Sequence, residues 1–286
     1  PLGLQASLGS GKLPFRHALA GPSLIDAPWL GGAGELRLLP LGFSALGLDG
    51  LLGSHRPVRQ SDRKVLTIWE ILGRLDRSTA VIGAPEALLS ATAGAAQAGD
   101  ALFRGEAAAL PALPDSFAGR LDLLRGAATA GGDAGAAGGE LLRQISAAAQ
   151  AQDRWRAAVA ASLLSDSSPP TALFLDLPGL LEVELLTLGG FRSAEMSGSR
   201  AGADRRAAAA LTDYVAFLDA TLAELWERLP EPRLLAVVSA YGVAPPAGAR
   251  RVLGEVWRAR GLGGTLAGGP DGVLLLRGDG VRRGAG

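Results

Sequence analysis

Leu234-Leu-Ala-Val-Val-Ser-Ala-Tyr-Gly242 is the stretch that decides how this chain folds. Five aliphatic residues run into a turn of small residues that ends in glycine. A short, unbroken apolar run bounded by turn residues suits a strand covered on both faces, as in a parallel sheet. Before it, Leu211, Val215, Leu218, Leu222, Leu225, Trp226 and Leu229 form one stripe at helical spacing, and Pro230 closes the helix. After it, Val252, Val256 and Trp257 mark a further helix. Helices alternating with buried strands predict an α/β fold, with a mostly parallel central sheet flanked by helices. In such sheets the functional site lies beyond the carboxyl ends of the strands, here at Ala240 to Gly242.

Composition limits the alternatives. The chain of 286 residues is 48% apolar and 20% charged, which is globular rather than disordered. Lysine plus arginine equals aspartate plus glutamate at 28 each, so no net field draws in nucleic acid or an anionic membrane surface. No uninterrupted apolar stretch approaches the ~18 residues of a membrane span. The nearest, from Leu38 to Gly53, is broken by Pro40, Asp49 and glycines. There is no cysteine, which excludes disulfides and thiolate metal sites.

Other elements follow from periodicity. Val65, Ile68, Trp69, Leu72 and Leu75 predict an amphipathic helix, and Thr79-Ala-Val-Ile-Gly83 a buried strand. Residues 21–63 are rich in glycine and proline and read as a long surface excursion with a short strand from Glu35 to Leu39. His55 sits there as a solvated loop histidine. Residues 91–139 are dominated by alanine and glycine, which bury too little surface to offset ordering entropy, so a mobile insertion is expected. A long helix runs from Glu140 through Trp155 and Leu163 to the stop at Ser167-Ser-Pro-Pro170, followed by a strand from Thr171.

Several short motifs occur in a meaningful order: Ser10-Gly11, Pro14 and His17; the Trp69 helix with the Val81-Ile82-Gly83 strand; Leu177-Pro178-Gly179-Leu180; Tyr214 with Asp219; Val237-Val238-Ser239; and Asp271-Gly272-Val273. Together they resemble the type I phosphodiesterase and nucleotide pyrophosphatase branch of the alkaline phosphatase superfamily. The resemblance implies one alkaline-phosphatase-like domain over residues 1–286, trimmed at both ends. Its nucleophile position falls on Pro1 or just upstream, and family members continue past Gly286. Extracytoplasmic (periplasmic) placement is also implied by the resemblance alone.

The same resemblance assigns metal-ligand positions, and all five that fall within the chain hold non-ligands: Leu181, Leu185, Ala240, Tyr241 and Leu266. Leu181 and Leu185 stand where an Asp and a His four residues apart would reach one metal from a helix face. Glu182 and Glu184 beside them read as solvated carboxylates off that face. Aliphatic side chains cannot hold the cation pair that would activate a nucleophile and stabilise a pentacoordinate phosphorus. Nothing replaces that chemistry. A phosphate loop at Gly11-Lys12 fails because Ala6 and Leu13 occupy required positions. No Gly-x-Ser-x-Gly elbow occurs, and Gly261-Leu-Gly-Gly-Thr-Leu266 misses the third glycine of a dinucleotide fingerprint. The expectation is therefore a pseudoenzyme with no catalytic residues, metal or cofactor, acting as an accessory or scaffolding subunit for a protein partner. The alternatives are a phosphate- or sulfate-ester hydrolase whose ligands lie outside the given residues, and a non-catalytic module binding a small ligand in the old cleft.

Overall fold

The computed structural model describes residues 7–11, 23–26, 35–36, 54–90, 95–106, 114–129, 140–184, 187, 202–239 and 272–282. In chain order these form β1 (Ser23–Asp26), β2 (Glu35–Leu36), β3 (Ser54–Pro57), α1 (Ile68–Arg74), β4 (Thr79–Ala84), β5 (Ala95–Gly99), α2 (Asp100–Arg104), α3 (Asp115–Thr129), α4 (Glu140–Leu164), β6 (Ala172–Leu175), α5 (Gly202–Arg228), β7 (Leu234–Ser239) and β8 (Val273–Gly278). The fold is α/β.

The central sheet is parallel, in the order β5-β4-β6, with Ala80 opposite both Ala96 and Leu173. Every residue of β4 is buried. That position, covered on both faces, is what an unbroken apolar run requires. The pleat sends alternate residues into two cores. Ala80 and Ile82 join Phe103, Trp155 and Val159 on the α4 side, while Val81 joins Trp69, Leu88 and Leu89 on the α1 side.

Two tryptophans fix the helices to these cores. Trp155 on α4 donates its indole N–H to the Leu121 carbonyl of α3 at 3.0 Å and meets Phe103 edge-on at 4.6 Å between ring centroids. Trp69 on α1 donates to the Leu88 carbonyl at 3.1 Å and packs against Phe174 of β6. Both rings thus bury their apolar bodies and still satisfy their one donor. The start of α1 is a capping box. The Glu70 carboxylate accepts from the Thr67 amide at 2.6 Å and is held in turn by the Arg63 guanidinium, with one contact at 2.8 Å.

The structure departs from the sequence expectations in three places. Residues 91–139 include β5, α2 and α3, so the segment expected to be a mobile insertion supplies an edge strand of the central sheet and a packed helix. The physical reason is that small side chains suit close packing. Ala98 is fully buried, and a Cβ at Gly99 would overlap the Glu86 carboxylate. Residues 130–139 lie outside the described residues. Within 21–63, expected to be a surface excursion, β1 pairs antiparallel with β2 and β3. His55 therefore lies in a strand, opposite Ile25, rather than in a loop.

The third departure concerns the decisive stretch. Leu234–Ser239 is a strand, but it pairs antiparallel with β8 in a separate two-stranded sheet, with Ala236 opposite Leu276. Leu234, Val238 and Val273 to Leu276 are 47% to 63% exposed, so the strand expected to be buried is open in this arrangement. The six residues of β7 are paired along their whole length with the six of β8. The helix expected around Val252 to Trp257 lies outside the described residues. Among the described residues no helix is long and apolar enough to cross a membrane.

Candidate functional site

Three parallel strands end together, and the residue after each of two of them is an aspartate. Asp100 follows β5, Asp176 follows β6, and β4 ends at Gly83-Ala84. This is the edge where a doubly wound sheet places ligands. Into it α4 projects Asp153 and Arg156, whose side chains are 0% and 1% exposed. One Arg156 nitrogen donates to Asp153 Oδ1 at 2.8 Å and the other to Asp100 Oδ1. The second oxygen of Asp100 pairs with Arg104 at 2.7 Å.

Asp153 is saturated by its neighbours. Its Oδ2 accepts from the Tyr214 hydroxyl on α5 at 2.7 Å and from the Gly179 amide at 3.1 Å. Glycine at 179 is required by proximity, because a Cβ would overlap the Tyr214 hydroxyl and lie 2.9 Å from Asp153 Oδ2. The Arg156 guanidinium stacks over the Phe103 ring at 5.0 Å, and its Nε has no hydrogen-bond partner. Glycine at 83, with φ of +80°, keeps β4 close to this arginine.

Burial dominates the proton affinities, with neighbouring charges modulating it. Burial raises the Asp153 pKa above the ordinary carboxylate value, against the opposing pull of the Tyr214 hydrogen bond and the Arg156 charge. Burial, with repulsion from Asp100 and Asp153, lifts Asp176 to about 6 despite the Arg156 charge. Burial and the Asp153 carboxylate push Tyr214 far above its usual range, so it remains a hydroxyl donor. A guanidinium cannot deprotonate in a protein. The edge therefore holds a permanent cation shared by two carboxylates, with Asp176 able to exchange a proton near neutrality.

Of the five degenerate ligand positions singled out in the sequence, only Leu181 is among the described residues. Leu181 is half-buried within residues 179–184, which are helical. The Leu185 side chain, Ala240, Tyr241 and Leu266 lie outside the described residues, as does His17. Glu182 and Glu184, expected to be solvated, are half-buried, and burial raises the pKa of Glu184. Among the described residues there is no group of three or more His, Asp or Glu placed to hold a metal. Sequence reasoning missed Asp100, Asp153, Arg156 and Asp176. The available signal was on α4, where Asp153 and Arg156 share the spacing of the buried Ala149 and Ala160, so two opposite charges fall on the core-facing stripe.

No protein-family model matches the sequence, and searches of curated proteins and of solved structures find no match to it.

Proposed function

We propose that this chain is a catalytically inactive, phosphodiesterase-like α/β protein that serves as an accessory or scaffolding subunit, docking on another protein. One observation carries the reading: the crevice edge of the parallel sheet is filled by Arg156, bridged to Asp100 and Asp153 and almost wholly buried. A fixed internal cation occupies the sheet edge where the resembled branch would hold mobile ones, and a buried guanidinium whose two terminal nitrogens are both paired has little to offer a substrate. The aliphatic Leu181 on the adjoining helical segment fits the same account. The surface fits it too. α1 and its C-cap carry Ile68, Ile71 and Leu75 exposed at helical spacing, an apolar stripe suited to a protein partner.

A second reading, a phosphate- or sulfate-ester hydrolase, draws support from Asp176, whose pKa of about 6 at the end of β6 suits a general base. Metal analysis of the purified chain, combined with turnover of an aryl phosphate diester, separates the two. The accessory reading expects substoichiometric metal, no turnover and recovery with a stable protein partner. Two equivalents of zinc or manganese with turnover abolished by Asp176→Asn would replace it with the hydrolase.

A further inference from the structure

Among the described residues the outer edge of β6 is unpaired, and the β7–β8 ribbon has an unpaired edge along β7 and one face, with Leu234, Val238, Leu274 and Leu276, that is exposed; the path of the chain connects them. On β6, the Ala172 amide donates to the Ser78 carbonyl at 3.3 Å and the Asp176 amide to the Ile82 carbonyl at 2.9 Å. Even-numbered amides thus face β4, and alternation turns those of Leu173 and Leu175 outward. Among the described residues no strand pairs with that side of β6.

α5 carries the chain from β6 to β7, and its last turn lies at the end of the sheet where β6 begins. Leu225 shares a core cluster with Leu163 and Leu164 at the end of α4, and Arg228 donates to the Ser165 hydroxyl at 3.1 Å, shortly before Ala172. Leu234 therefore starts from the same end of the sheet as Ala172. A strand re-entering a sheet from the end where the preceding one began runs parallel to it, and a helical crossover between two such strands is almost always right-handed. β7 has the composition of a strand covered on both faces, with Leu234 and Val238 on one side and Leu235 and Val237 on the other.

We infer that the ribbon closes onto the outer edge of β6 through β7, giving a five-stranded sheet in the order β5-β4-β6-β7-β8 in which β8 alone is antiparallel. The outward amides of Leu173 and Leu175 then gain carbonyl partners, and Ser239 arrives on the same edge as Asp100 and Asp176. Tethering through α5 favours this closure over pairing with a second copy, since the two edges are held at high effective concentration. The inference stands on strand geometry and is independent of the accessory-subunit reading.

Two measurements decide it. In the unmodified protein, closure predicts hydrogen exchange at the Leu173 and Leu175 amides slowed roughly 100-fold or more relative to an open edge; fast exchange at both overturns the inference. The chain has no cysteine, so Thr171→Cys can be combined with Leu234→Cys or Leu235→Cys. Neighbouring strands lie about 4.8 Å apart, within disulfide reach. At least one pair should cross-link within one molecule about tenfold or more faster than Leu123→Cys with Leu234→Cys, at a rate independent of protein concentration. Cross-linking no faster than that control, or rising with concentration, also overturns it, the latter in favour of a second copy.

Discussion

The Tyr214 hydroxyl on α5 and the Asp153 carboxylate on α4 meet at 2.7 Å with both residues buried, and this bond adds a polar tie at the carboxyl edge of the sheet to the apolar packing between the longest two described helices. Removing the hydroxyl by Tyr214→Phe leaves Asp153 Oδ2 with only the Gly179 amide. Losing one of the two donors to a buried carboxylate oxygen costs about 1–3 kcal/mol. The expected outcome is a lower urea midpoint with an unchanged slope, since the surface exposed on unfolding stays the same.

Arg156 is the counter-ion of two aspartates, so its loss should exceed that of any surface arginine. Arg156→Met approximately keeps the volume but removes the cation paired with Asp153 and one of the two paired with Asp100, and breaking a buried pair from one side costs about 3–5 kcal/mol. Arg120→Met, which breaks a partly exposed bidentate pair with Asp166 and two bonds to Ser162, should cost less, about 1–2 kcal/mol. The triple change Arg156→Met with Asp153→Asn and Asp100→Asn should recover a large part of the loss. Chemical denaturation of the four proteins checks the order; equal effects at positions 156 and 120 would contradict the burial of the network.

Two carboxylates give stability opposite dependences on pH. Asp176 is raised to about 6, so the folded chain holds a proton that the unfolded chain has released. Its contribution is favourable below the unfolded value of ~3.9 and is lost as pH climbs towards 6, by at most roughly 3 kcal/mol. Glu70 runs the other way. Burial resists its ionisation, but the Arg63 guanidinium and the Thr67 donors overcome that and lower it to about 2. Its contribution is full above the unfolded value of ~4.3 and disappears as pH falls towards 2. Thermal unfolding across pH 2 to 8 should show both limbs, with Asp176→Asn flattening the fall towards neutral pH and Glu70→Gln flattening the loss on the acid side.

What the sequence discloses is the part of the fold set by local pattern. Thr79-Ala-Val-Ile-Gly83 and the stripes of α4 and α5 carry their periods openly, and each forms the expected element. β5 is hidden because Ala-Ala-Gln-Ala-Gly has no strand-like bulk; it exists because β4 offers an edge where small residues fit. The partner of β7 is hidden for a different reason. Leu-Leu-Ala-Val-Val specifies burial but not direction, and β8 lies more than thirty residues further along the chain. The charged network is concealed by its setting: Asp153 and Arg156 interrupt an apolar stripe, where only their spacing of three residues hints at a mutual pair.

Two glycines with similar backbone angles separate conformational strain from crowding. Gly83 has φ of +80° and Gly105 φ of +71°, so an alanine at either position enters the left-handed region at about 1–2 kcal/mol. At Gly105 the added Cβ meets only the Arg125 guanidinium, at 3.5 Å, and nothing else need move. At Gly83 it would come within 2.8 Å of the Asp176 carbonyl and 3.1 Å of Arg156 Cδ and Nε. The carbonyl belongs to backbone, and the guanidinium is pinned by Asp100 and Asp153, so neither can withdraw without loosening the network. Gly83→Ala should therefore destabilise by clearly more than Gly105→Ala, with the excess of about 1–3 kcal/mol typical of overpacking. The excess should shrink in an Arg156→Met background, where an unbranched, uncharged side chain can yield. A double-mutant cycle on positions 83 and 156 measures that coupling, and a coupling of zero would place the strain of Gly83→Ala in the backbone alone.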